Sequence, residues 1–288
     1  MFDLMFRQDL MKGERVLVTG GGTGIGRALA TAYAQLGSDV YLAGRRLEVT
    51  RATATELADK TGAKVTGLSC DVRDGKAVEN LLDDIWSDGG PLTGLVNSAA
   101  GNFLARTETI SNHAFDVITD IQFRGAFYVT NACGRRWIAN SHRGNVVSVV
   151  ATGVWNGGAF VTPATMAKAG VNCMTQSLAA EWGRHGIRLN ALAPGVFRTE
   201  GSATRLDPLA ESGWSPTNNP QSRMGDLQEI ANLGVFLMAK GVSFMTGQTV
   251  AIDGGAYLAN GGTFMALAGL GDESWNQIRQ ATRAGDKR

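Results

Sequence analysis

Short apolar runs rich in Val, Ile and Leu alternate along the chain with longer stretches whose apolar positions recur at helical spacing. The short runs predict strands over Arg15–Thr19, Asp39–Ala43, Lys64–Ser69, Leu92–Asn97, Gly144–Val149, Ile187–Ala193 and Gln248–Ile252. The longer stretches predict helices over Ile25–Gly37, Leu47–Thr61, Lys76–Trp86, Asn112–Asn140, Pro163–His185 and Leu227–Met238. Strand–helix alternation of this kind builds parallel sheets, because each helix returns the chain to the end of the sheet where the next strand must start. The expected fold is α/β: a single doubly wound domain with a seven-stranded parallel sheet flanked by helices. Residues 1–13 read as an N-terminal arm. Residues 199–225 are polar, carry Pro208, Pro216 and Pro220, and read as a lid or loop over a substrate. Residues 256–288 form a C-terminal extension with a short helix expected around Ser274–Ala284.

Composition narrows the class. Of 288 residues, 44% are hydrophobic and 18% charged, a globular balance. A net charge of +1 gives no basic face for nucleic acid or an anionic bilayer, so neither is expected as a partner. No apolar run has the length of a membrane helix. The N-terminal stretch carries acids early, without a cleavage-site pattern, and the final residues do not match a peroxisomal address, so a cytoplasmic location is expected. Cys70, Cys133 and Cys173 are widely spaced and His113, His142 and His185 are scattered, which argues against a disulfide framework and a metal site.

The first chemistry-bearing motif lies at Val16–Gly26. A strand, a glycine turn and a helix start follow one another, with Gly20, Gly24 and Gly26 in TGxxxGxG spacing. Such glycines allow a tight turn, close backbone approach to a pyrophosphate, and helix–strand packing. The N–H groups at the helix start, around Thr23 and Ile25, would point at the phosphates. Folds that bind NAD usually place an acid about 20 residues further on, against the ribose 2′-OH. Here Ala43-Gly44 leads into Arg45-Arg46 instead, and two guanidiniums suit a 2′-phosphate. Arg27 is a further candidate for that pocket. The expected cofactor is NADPH; the alternative is that Arg45 and Arg46 sit on a solvated loop.

With Cys70-Asp71-Val72, Asn97-Ser98-Ala99-Ala100-Gly101, Lys168 on a helix, Pro194-Gly195 with Thr199 beyond, and Asp253-Gly254-Gly255, the chain resembles the short-chain dehydrogenase/reductase family over nearly its whole length. The resemblance implies a Rossmann fold. It implies a cofactor site made by Gly20, Thr23, Gly24, Ile25, Gly26, Arg45, Arg46, Asp71, Val72, Asn97, Ala99, Lys168, Pro194, Gly195 and Thr199, with Asp71 against the adenine. It also implies a homotetramer or homodimer paired through the two longest helices.

The family's usual acid is missing. Ala164 stands at the Tyr of Tyr-x-x-x-Lys, Ala151 at the usual Ser, and Gln122 at the usual Asn; Val161 stands at the Tyr of the longer Tyr-x6-Lys spacing. Ketone reduction needs a positioned acid for the developing alkoxide, so ordinary alcohol dehydrogenase chemistry is not expected. The segment Ala99-Ala100-Gly101-Asn102-Phe103 resembles the AAGNF of the 2,4-dienoyl-CoA reductase branch, as do Ser177–Gly183 and Thr199–Pro208. That branch reduces a conjugated dienoyl thioester with NADPH to a 3-enoyl thioester. The resemblance implies an acyl-CoA substrate, Asn102 as hydrogen-bond donor to the dienolate oxygen, and Lys168 on the nicotinamide ribose. Gly153 and Ala164 replace the second Tyr and the Ser of mitochondrial-type members, and Gln122 replaces the Asp of peroxisomal-type ones. Thr152, Asn156, Thr162 and Thr165 are candidate substitutes, with water as proton source. Asp120 is a candidate partner of Lys168 or of a backbone group. Trp155, Phe160, Phe197 and Trp214 are candidates for an acyl pocket or for ordinary packing, and Arg106, Arg205 and Arg223 for CoA phosphates. Two alternatives stay open: a 2-enoyl-CoA reductase or other acyl-CoA oxidoreductase of this fold, and a catalytically impaired dinucleotide-binding protein.

Overall fold

A computed structural model of the chain describes residues 1–199, 215, 217, 219–259, 264, 267 and 269–285. Most of the expected lid, with Arg205, Pro208, Trp214 and Pro216, lies outside the described residues. Seven parallel strands form one sheet: β1 (Arg15–Thr19), β2 (Asp39–Gly44), β3 (Val65–Ser69), β4 (Gly94–Asn97), β5 (Gly144–Val149), β6 (Ile187–Pro194) and β7 (Thr249–Ile252). Their order is β3-β2-β1-β4-β5-β6-β7. The order reverses between β1 and β4, which register Val16 with Gly94 and Thr19 with Asn97. Ligands of open α/β sheets bind at such a reversal, beyond the carboxyl ends of the strands.

The helices are α1 (Gly24–Gln35), α2 (Leu47–Thr61), α3 (Gly75–Gly89), α4 (Asn112–Thr119), α5 (Gly125–Ala139), α6 (Gly153–Asn156), α7 (Thr162–Trp182), α8 (Leu227–Met238), α9 (Ala256–Ala259) and α10 (Asp272–Gly285). They cover both faces of the sheet, so β4 and β5 are buried at every residue. That is why these strands read as continuous apolar runs rather than as alternation. Adjacent residues of β1 face opposite layers: Val16 and Val18 pack with Leu29 and Val235 of α1 and α8, Leu17 with Leu82 and Val129 of α3 and α5. The N-terminal residues lie against α1 and α8. Phe2, Leu4 and Phe6 pack on that core, and the side chains of Gln35, Gln228 and Asn232 accept the N–H groups of Phe2, Asp3 and Met5.

Three expectations are corrected. The fourth strand starts at Gly94 rather than Leu92, whose carbonyl instead accepts the indole N–H of Trp137 at 2.6 Å. The expected 112–140 helix is broken into α4 and α5 by one wide π turn, Asp120–Arg124, where Gly125 N–H bonds the Asp120 carbonyl five residues back. The turn brings Gln122 inward and seats Gly125 against Val72, where a Cβ would lie 2.6 Å from Val72 Cγ2. The tail helix starts earlier than expected, at Asp272, and α6 and α9 are short helices that periodicity does not reveal.

Candidate active site

The glycine turn after β1 is built for close approach. A Cβ on Gly20 would lie 2.9 Å from Ala99 Cα, and one on Gly26 would overlap the Gly20 carbonyl oxygen. Gly24 has φ +55°, and its missing Cβ would meet Thr199 Cγ2 only at 4.0 Å, so the backbone is open there to a ligand. α1 begins at this residue. Its N-cap, Thr23, makes no side-chain capping bond, and its first turn holds no acid, which leaves the helix-start N–H groups for an anion.

At the end of β2, Arg45 and Arg46 are exposed, and among the described residues neither side chain forms an ion pair or hydrogen bond. Nearby, Asp71 forms a two-oxygen pair with Arg73 Nε at 3.0 Å. Hydrogen bonding to Arg73 holds the Asp71 carboxyl below its ordinary value, and the charge of Arg45 adds to this. Arg27 does not join that pocket. Its guanidinium bonds both carboxylate oxygens of Glu56 at 2.8 Å, tying α1 to α2. Pro194 and Gly195 close the other side of the sheet end, where a Gly195 Cβ would lie 2.7 Å from Asp253 Cβ. An open glycine cradle, an uncapped helix start and unpaired guanidiniums together fit a dinucleotide carrying a 2′-phosphate.

Behind the cradle, Thr19 Oγ1 accepts the N–H groups of Ser98 (3.1 Å) and Ala99 (3.2 Å) and donates to the Val96 carbonyl, fixing the turn after β4. Asn97 Nδ2 donates to Thr130 Oγ1 at 2.8 Å and Ser148 Oγ at 3.3 Å, while its Oδ1 is buried without a protein partner. Lys168 is buried on α7, and its Nζ donates to the Val149 carbonyl at 2.6 Å. Burial pushes its pKa down to about 8. Thr19, Asn97, Gln122 and Lys168 share the wall of a cavity of about 10 Å³, room for one water.

Asn102 is exposed on the loop after β4, with its Oδ1 accepting the Phe103 N–H at 2.9 Å. The preceding carbonyl, Gly101, accepts Gln122 Nε2 at 2.5 Å, so the π turn anchors this loop. No hydroxyl stands at the two usual positions; Ala164 is buried and Ala151 half-buried. Several candidate substitutes are engaged elsewhere. Thr162 bonds Thr107 at 2.8 Å, Asn156 donates to the Tyr257 carbonyl at 3.2 Å, and Asp120 pairs with Arg124 at 2.6 Å rather than with Lys168. Thr165 sits against Gly158 and Thr152 is buried after β5. Phe197 belongs to the core rather than to a pocket wall. Arg106 pairs with Asp272, and Arg223 with Glu229.

Sequence reasoning missed two residues here. Tyr257 stacks on Trp155 at 4.8 Å between ring centroids, and Trp275 packs on Phe160 at 4.9 Å. Both come from the tail, about 100 residues away along the chain. The available signal was that the glycine-rich extension also carries large apolar residues, among them Tyr257, Phe264 and Trp275.

The family model described as "Enoyl-(Acyl carrier protein) reductase" matches residues 20–257. The chain belongs to the short-chain dehydrogenase/reductase family. It is thus an oxidoreductase by family. A probable 2,4-dienoyl-CoA reductase of Caenorhabditis elegans, named as (3E)-enoyl-CoA-producing, is 39% identical over 97% of this chain and 92% of that protein. A probable 2,4-dienoyl-CoA reductase of Bacillus subtilis, named as (2E)-enoyl-CoA-producing, is 35% identical over 86% of this chain and 98% of that protein. Among solved structures of this family, a gluconate 5-dehydrogenase of Burkholderia cenocepacia in complex with NADP and tartrate superposes with a TM-score of 0.81. It is 29% identical and covers 88% of this chain and 99% of that one. Among the described residues, no helix is long and apolar enough to cross a membrane, and no cluster of His, Cys, Asp and Glu could hold a metal.

Proposed function

We propose that this short-chain dehydrogenase/reductase is an NADPH-dependent 2,4-dienoyl-CoA reductase. One observation carries the reading: Lys168 shares a small cavity with Thr19 and Asn97, the last residues of β1 and β4, and Asn102 lies on the loop that leaves β4, while alanines occupy both positions that would hold the hydroxyls used on a ketone. NADPH, when bound, supplies the hydride. In a dienoyl thioester the hydride goes to the far carbon, C5, and negative charge collects on the thioester oxygen. The Asn102 amide donates a hydrogen bond to that oxygen, and the ammonium of Lys168 lowers its energy through space. A proton from water at C2 completes the 3-enoyl product, so no phenol is needed. The relatives named as dienoyl-CoA reductases support the substrate class, and the exposed Arg45 and Arg46 support the phosphorylated cofactor. Exposed Phe127 on α5, Met166 on α7 and Phe123 on the π turn before α5 support self-association as a homotetramer or homodimer.

The test is NADPH oxidation with 2,4-hexadienoyl-CoA and 2,4-decadienoyl-CoA, against a 2-enoyl-CoA and a simple ketone. Dienoyl thioesters should be preferred. Asn102→Ala should lower turnover on the order of 10²–10³-fold, the usual loss for one oxyanion donor, with NADPH affinity kept. Faster reduction of the ketone overturns the reading. Tight NADPH binding without any turnover would instead support the second reading, an inactive dinucleotide-binding protein, which the missing hydroxyls favour.

A further inference from the structure

The family match ends at residue 257, yet the tail beyond it reaches back to the loop that carries Asn102 and to the linker that precedes the Lys168 helix, α7. We propose that α10 is a clamp that holds these loops in register, with Trp275 as its positioning residue; this rests on Asn102 being the oxyanion donor. Trp275 and Ile278, one turn apart on α10, are buried with Leu267 in a small cluster separate from the main core. Packed against it, besides Phe264 and Leu270 of the tail itself, are Leu104, two residues past Asn102; Phe160, just before α7; and Val196, after β6.

The contacts form a chain. The Ala105 N–H donates to the Phe160 carbonyl at 3.0 Å, and Thr107 bonds Thr162 at 2.8 Å, so the Asn102 loop and the α6–α7 linker are zipped together. α10 closes this pair from outside. Arg106 donates to Asp272 at 2.7 Å and to the Leu270 carbonyl at 3.2 Å, and lies over the Trp275 ring. Phe160 has φ +65°, a backbone conformation costly for a side chain with a Cβ, and the Trp275 ring packs against it. Nearer the family boundary, Tyr257 repeats the device on Trp155 of α6. An enzyme that has lost its acid hydroxyls depends on where Asn102 sits, and small displacements of a catalytic group cost rate steeply. The tail thus supplies placement where the family core lacks side chains.

The experiment compares the full-length protein with Trp275→Ala, Trp275→Phe and Asp272→Asn, read three ways. With a dienoyl-CoA, Trp275→Ala should lower kcat tenfold or more while the NADPH Kd stays within twofold, and Trp275→Phe should recover kcat to within threefold. In amide hydrogen exchange, residues 101–106 and 157–162 should exchange faster in Trp275→Ala but not in Trp275→Phe. Asp272→Asn, an exposed change that spares the cluster, should speed exchange at 101–106 to a smaller degree, and decides the matter if Trp275→Ala does not fold. Unchanged exchange in these loops, or an unchanged kcat in Trp275→Ala, overturns the clamp. Exchange needs no substrate, so failure of the wild-type protein to reduce dienoyl-CoA would sink the assigned reaction and leave the clamp to be judged on exchange.

Discussion

Replacing Lys168 with Met should separate stability from turnover in opposite directions. The ammonium is buried, and desolvation lowers its pKa from 10.5 to about 8. At ~1.4 kcal/mol per tenfold change in acidity, keeping it charged in the folded protein at pH 7 costs about 3 kcal/mol. Met fills the same stem without that cost. It also leaves the Val149 carbonyl without its donor, a loss of ~1–3 kcal/mol. The variant should therefore equal the wild type at pH 7 or exceed it by up to about 2 kcal/mol, the difference of those two figures. The pH dependence is sharper. Between pH 8 and 10.5 the unfolded wild-type chain holds the Lys168 proton and the folded one has lost it. Stability rises with pH wherever the unfolded state binds more protons, so the wild type should gain on the variant across that window and the gap should be flat below it. Activity should move the other way, with wild-type kcat/KM falling as the pH rises through about 8 and the charge is lost. Urea unfolding of both proteins at pH 7, 8, 9 and 10, run beside a pH–rate profile, measures all of this. Parallel stability curves would refute the reasoning, because they would mean that Lys168 is not desolvated in the folded state.

Arg45→Ala with Arg46→Ala should weaken NADPH binding roughly 10–100-fold, the equivalent of about one charged hydrogen bond at ~1.5–3 kcal/mol, and leave NADH nearly untouched. Fluorescence titration with both dinucleotides checks this, and an equal loss for both would remove the 2′-phosphate from the account. Gly26→Ala should abolish dinucleotide binding and destabilise the protein by ~1–3 kcal/mol, because the new methyl group overlaps the Gly20 carbonyl. A thermal melt with an unchanged midpoint would show that the turn can relax.

The centre of the sheet was legible because β1, β4 and β5 are almost wholly covered on both faces, so each is a short run dominated by Val and Leu. The cofactor cradle was legible for a related reason. Gly20 and Gly26 are demanded by backbone contacts within one local strand–turn–helix unit, and local demands leave local patterns. Distant pairings left no such pattern. That Arg27 would be taken up by Glu56 rather than face the ribose depends on how α2 lies beside α1. That Asp120 would turn to Arg124 depends on a wide turn that a 3.6-residue period cannot register. The aromatic stacks of Tyr257 and Trp275 bring the tail to loops far along the chain, and an alternation of polar and apolar residues says nothing about which loop a tail will meet.

The wide turn at Asp120–Arg124 has a bearing on how this chain can change. A π turn amounts to one extra residue in an otherwise regular helix. Each residue of an α-helix advances it by about 100°. Removing any one residue there would restore a straight helix and swing one half by that angle against the other. Either Gln122 would leave the Gly101 carbonyl, or α5 would turn Val129 and Trp137 away from the sheet. Exposed side chains along this helix can be exchanged one by one, whereas Gly125 is held by Val72 and the length of the helix is fixed. Divergence here is open to substitution and closed to single-residue insertion or deletion.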